Sequence, residues 1–151
     1  MTCQVIDPAT SGRALWRRIG NEPDAIAEGD AMIDARELID RYLAGWNEKD
    51  PAARRAAVDA LWTEDASYVD PLVAVEGREA IDGAIAAVQA QFPDFVFRLA
   101  GDVDAHHHVA RFTWELGPKD GEAVVVGFDV AEFSEDGRIS KVHGFLDKVP
   151  A

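Results

Sequence analysis

The sequence predicts an α+β domain in which three helices pack against a strongly curved, mainly antiparallel sheet. Three observations carry this. From Asp34 to Phe92, apolar residues recur at helical spacing in three blocks, and from Phe95 onward the period changes to two. The connections hold turn chemistry, above all Asp136-Gly137, a strong hairpin pair. A sheet of that curvature, wrapped around its helices, encloses a pocket.

Residues 1–30 read as an N-terminal extension to a domain spanning 31–151. Asp7-Pro8, Ser11-Gly12, Asn21-Glu22-Pro23-Asp24 and Gly29-Asp30 break this extension, and Arg13 to Ile19 fits a short helix. Asp34-Ala35-Arg36-Glu37 has the capping-box pattern, and Leu38, Ile39, Tyr42, Leu43 and Trp46 then form one apolar helical face. Asp50-Pro51 ends that helix and opens a second, Ala52 to Trp62, with the proline in its first turn. After the polar turn Thr63-Glu64-Asp65, a strand from Ala66 stops at Asp70, because Pro71 disfavours helix at the residue before it and cannot donate to a ladder. Val73 and Val75 mark a short further strand. Gly77 opens a third helix through Gln91, with Ile81, Ile85, Val88 and Phe92 on its apolar face, and Pro93 stops it. Four strands follow, Phe95–Val103, His106–Leu116, Ala123–Phe133 and Ile139–Val149, with the first connection placed at Gly101 to Ala105.

Composition narrows the function. With 151 residues, 48% of them hydrophobic, one domain with a real core is expected, and four Trp, seven Phe and two Tyr can line a pocket as well as fill it. A formal net charge of -13 argues against nucleic acid and anionic membranes as partners. The single cysteine, Cys3, allows no intrachain disulfide. Without a signal-like or membrane-spanning apolar run, a cytoplasmic location is the simplest expectation. His106-His107-His108 alternates faces if extended, so its side chains do not converge on one ion, and no metal site is expected. Nucleotide, zinc and serine-hydrolase motifs are also missing, so no cofactor is expected.

Asp70 has two readings: a turn former before proline, or a carboxylate whose proton affinity is moved by nearby aromatics, as a general base requires. Tyr42 is either a core tyrosine or a cavity residue. In the strand from His106, alternation puts Ala110, Phe112 and Trp114 on the helix-facing side. Asp129 interrupts an apolar strand beside Gly127, a position suited to a bulge or close backbone approach. If Asp129 faces inward, Val124, Val126, Phe128 and Val130 face outward and need cover, most simply from a second subunit. His143 and Phe145 share a face that the sequence leaves open.

Taken together, these motifs resemble the nuclear transport factor 2-like superfamily, whose pattern matches residues 34–149. The matching features are Trp46-Asn47, the run from Leu61-Trp62 through Asp65-Ala66 to Asp70-Pro71, Gly77 to Ile81, and Asp136-Gly137. The resemblance implies a cone-shaped, cystatin-like α+β barrel and a SnoaL-like domain; the homodimer through the outer sheet face is expected from the outward parity of Val124, Val126, Phe128 and Val130. Within the superfamily the ketosteroid isomerase pattern fits furthest: Arg41-Tyr42 for the helix tyrosine, Asp70 for the base, and Asp129, Phe133 and Gly137 for the late-strand acid and its spacing. The resemblance thus implies catalytic roles for Asp70, Tyr42 and Asp129; Trp46, Trp62, Phe112, Trp114 and His143 are the candidate ligand contacts. The expected function is cofactor-free isomerisation or cyclisation of a small carbonyl compound. The alternative is a domain that only binds a small hydrophobic molecule.

Overall fold

The computed structural model describes residues 25–28 and 31–151, with side chains from Asp34 onward. The short helix expected over Arg13 to Ile19 lies outside the described residues. Strands β1 (Ala25–Glu28) and β2 (Ala31–Asp34) pair antiparallel. Helix α1 (Ala35–Asn47) begins at Asp34, whose carboxylate accepts the Glu37 N–H at 3.1 Å. Helix α2 (Pro51–Leu61) starts in the same way, with Asp50 accepting the Ala53 N–H at 2.9 Å and Pro51 at its first position. Helix α3 is Arg78–Gln91, entered through Gly77 at φ 90°.

The main sheet has six strands in the order β4-β3-β8-β7-β6-β5 and does not close on itself. They are β3 (Trp62–Val69), β4 (Ala74–Glu76), β5 (Phe95–His106), β6 (Val109–Pro118), β7 (Val125–Phe133) and β8 (Ile139–Lys148). All neighbours run antiparallel except β3 and β8, which are parallel. Two boundaries differ from expectation. Strand β3 begins at Trp62, directly where α2 ends. The β5–β6 hairpin turns at His107 and His108 rather than near Gly101, with His107 in the left-handed region at φ 50°. Gly101, at φ 80°, lies in β5 between Ala100 and Asp104, where the register shifts, so its positive φ serves a bulge and not a turn.

The core lies between the three helices and the concave face of the sheet. Its parity follows the sequence: Ala110, Phe112, Trp114 and Leu116 are buried, as are Val125, Asp129, Ala131 and Phe133. Val126, Phe128, Glu132 and Val130 take the other face and are half-buried. Val124 departs from that set, because β7 starts one residue later and Val124 packs against the core. A polar clamp ties the helices together. Arg54 donates to Asp82 at 2.8 Å and to Gln89 at 3.0 Å, and the Gln89 amide donates to the carbonyls of Trp46 and Glu48 at 2.9 and 2.7 Å. Those two carbonyls end α1, so the clamp satisfies groups that the helix cannot satisfy itself. Among the described residues no helix is long and apolar enough to cross a membrane.

Candidate functional site

Helical spacing places Tyr42 and Trp46 one turn apart on the sheet-facing side of α1, with ring centroids 6.3 Å apart. The Tyr42 hydroxyl reaches across the core and donates to Asp129 Oδ2 at 2.7 Å. Asp129 is 1% exposed, and among the described residues its Oδ1 has no hydrogen-bond partner. Burial carries this carboxyl up from an ordinary 3.8 to about 6; the Trp114 indole and the Tyr42 hydroxyl beside it oppose the rise, and the charge of Asp70 adds to it. Burial, then the Asp129 charge, likewise pushes Tyr42 well above the usual tyrosine value, so it is a donor at any physiological pH.

Strand pairing brings the second carboxylate to the same place. In the parallel β3–β8 pair Val69 lies opposite His143, and in the β7–β8 pair Asp129 lies opposite Gly144. Asp70 and Asp129 therefore flank Gly144 from two sides. A Cβ at position 144 would stand 3.0 Å from Asp129 Oδ1 and 3.3 Å from Asp70 Cβ, so only glycine leaves both carboxylates where they are. Asp70 is held by three donors. Its Oδ1 accepts the N–H groups of Leu72 and Val73 at 2.8 and 2.9 Å, and its Oδ2 accepts the Tyr68 hydroxyl at 2.7 Å. The Asp70 N–H in turn donates to the Val73 carbonyl at 2.9 Å, closing the turn after β3. Tyr68 is pushed above the usual tyrosine value, mainly by burial, then by the charge of Asp129 and the hydrogen bond to Asp70.

Both pairs face one cavity of about 260 Å³, walled by Tyr42, Trp46, Tyr68, Phe97, Trp114 and aliphatic side chains. Among the described residues Asp70 and Asp129 are the only carboxylic acids on its wall, and no lysine, arginine or histidine lines it. Trp114 takes its place because Gly127 lies opposite it on β7; a side chain at 127 would run into the indole. That is the close approach for which the sequence position of Gly127 is suited.

Five of the eight candidate residues thus meet at the cavity: Asp70, Tyr42, Asp129, Trp46 and Trp114. Trp62 and Phe112 do not line it. Each is 2% exposed and packs on Tyr42, at centroid distances of 5.9 and 5.6 Å, so they hold the tyrosine and do not face the open space. His143 is a correction of a different kind. Its neighbour Gly144 faces inward, so His143 takes the outer sheet face with Val69 and Val130, and its Nε2 lies 2.7 Å from Glu132 Oε2. Tyr68, Gly144 and Leu72 are cavity-forming residues that the sequence reading passes over. Tyr68 was findable, because residues two apart on a strand share a face and Asp70 follows it by two. Gly144 was not, because its importance depends on which strands become neighbours.

Residues 39–142 match the SnoaL-like domain family. No curated protein matches the sequence. Among solved structures, a proposed isomerase of the SnoaL-like family from Agrobacterium tumefaciens is 43% identical, over 74% of this chain and 96% of that one, with a TM-score of 0.71. A proposed SnoaL-like polyketide cyclase from Jannaschia sp. CCS1 is 19% identical, over 74% and 84% of the two chains, with a TM-score of 0.61. A nuclear transport factor 2-like protein of unknown function from Cytophaga hutchinsonii is 13% identical, over 79% and 95%, with a TM-score of 0.58. The last two share the fold, as does a cystatin-like protein from Silicibacter pomeroyi. The family match over most of the described domain and the high coverage of the Agrobacterium relative lead to one assignment: the chain belongs to the SnoaL-like family.

Proposed function

We propose that this protein carries out acid–base isomerisation or cyclisation of a small hydrophobic carbonyl compound, without a cofactor. The observation that carries the reading is the pair of carboxylates on either side of Gly144, facing one apolar cavity, with the Tyr42 hydroxyl on one of them. Asp70 takes a proton from the carbon next to the carbonyl, and the electron pair of that C–H bond moves onto the oxygen. With Asp129 neutral, the Tyr42 O–H turns from Oδ2 to the enolate oxygen and the Asp129 O–H donates the second hydrogen bond to it. Asp70 then returns the proton to a different carbon in an isomerisation. In a cyclisation the enolate carbon instead attacks a second carbonyl of the same molecule, whose oxygen takes up the proton. Because the Asp129 carboxyl sits at about 6, its donor capacity falls as pH rises through that value. The isomerase and cyclase descriptions of the Agrobacterium and Jannaschia proteins point to the same class of chemistry.

A second reading has its own support. Both turn amides end on Asp70 Oδ1, as they would if this carboxylate served only to fold the loop in a ligand-binding domain. Deuterium exchange into a cyclic enone separates the two. In Asp70→Asn the exchange rate falls by roughly 10²–10⁴-fold if Asp70 is the base. An active wild type with an unchanged variant, less stable by about 1 kcal/mol, leaves Asp70 only the turn role.

We also propose that the outer sheet face pairs with a second copy of the chain. Phe128 lies opposite Phe145 there, and Val69 and Val130 flank His143. Phe145 is 56% exposed and Val69 40% in the single chain, apolar area that water does not favour, beside the His143–Glu132 pair.

A further inference from the structure

We infer that the ligand is an amphiphile: a compact carbonyl head held inside the cavity, and an uncharged apolar tail that leaves it across Leu72 and Val149. The inference deepens the proposed function and rests on the cavity being its ligand site. Space sets the first condition. At about 260 Å³ the cavity falls just below the roughly 300–1,000 Å³ of pockets that enclose a drug-sized ligand, so it takes a one- or two-ring head and little more.

The mouth sets the second. Leu72 is 75% exposed and Val149 57%, yet both line this same cavity together with Pro150. They are among the most exposed large apolar side chains of the described residues, and both stand at one opening. Leu72 is fixed within its turn, and Val149 directly follows the last strand. The Leu72 N–H is tied to Asp70 Oδ1 at 2.8 Å, and Val149 follows Lys148, whose ammonium donates to the Ala123 carbonyl at 2.8 Å. The rim is thus an apolar surface held in place, continuous with the aromatic wall through Phe92 and Leu146. Among the described residues no cationic side chain lines the wall, so nothing there would pair with an anionic tail, and the two carboxylates lie at the head end beside Gly144.

The test is a binding series on the full chain, read by the fluorescence of the tryptophans that line the cavity. The probes are 2-cyclohexenone and its 4-ethyl, 4-butyl and 4-hexyl derivatives. In the wild type, Kd should fall by about 2–3-fold per methylene, somewhat less than the ~4-fold of full burial because the rim is half open to water. In Leu72→Ser, and separately in Val149→Ser, the gain per methylene should drop to about half or less, with thermal melts confirming that each variant folds. Dependence on tail length that both variants leave intact overturns the inference. So does a wild type with no such dependence, the result expected if residues 1–24 or a second copy already cover the mouth. Binding is measured without turnover, so loss of the acid–base reading through Asp70→Asn leaves this series standing, and a flat series leaves that reading standing.

Discussion

Replacing Asp129 with asparagine tests whether burial governs this carboxyl. The group ionises near 3.8 when unfolded and at about 6 in the fold. Its folded value is raised, so its contribution to stability is fully present below 3.8 and is lost as pH rises through 6. The gap of about two pH units, at about 1.4 kcal/mol each, makes the ionised fold about 3 kcal/mol less favourable above pH 7 than a neutral group would. An amide of the same shape keeps a neutral acceptor for the Tyr42 hydroxyl, as the protonated acid does, and the stronger bond to the charged form is already contained in the value of about 6. Asp129→Asn should therefore be more stable than the wild type at pH 8 by about 3 kcal/mol, which for a chain of this length is roughly 6–12 °C in Tm. Between pH 8 and pH 5 the advantage should shrink by about 1.5 kcal/mol, since about half the penalty has gone by then. Urea unfolding of both proteins at the two pH values reads this directly, and changes common to both cancel. An advantage that is the same at pH 5 and pH 8, or a variant less stable at pH 8, refutes the argument from burial.

Gly144→Ala places a methyl group between the two carboxylates, 3.0 Å from Asp129 Oδ1. It should cost about 1–3 kcal/mol in urea unfolding and weaken binding of 2-cyclohexenone at least tenfold, whereas a variant that binds normally shows that the carboxylates need no such gap. For the outer face, light scattering at micromolar concentration should report twice the chain mass. A monomer that stays soluble with Phe145 and Val69 exposed removes the proposed partner.

Much of the fold was legible because local chemistry and global packing agree. Asp34 and Asp50 act as caps, Pro51 occupies a first helical turn, and the period-two strands bury the expected residues, including Asp129. The misplaced β5–β6 turn has a local cause: a glycine with positive φ serves a bulge as readily as a turn, so Gly101 does not mark the hairpin. Tyr68 lies two residues before Asp70, which directly follows β3, and alternation alone puts both on one face. The site itself was only partly in the sequence. Residue types and spacing nominate Tyr42, Asp70 and Asp129 one by one, since each depends on its own helix or strand. Whether Asp70 meets Asp129, whether His143 turns to water, and why residue 144 has no side chain depend on β8 lying between β3 and β7. Pairing over that sequence distance is set by the packing of the whole sheet on the helices, and no local pattern encodes it.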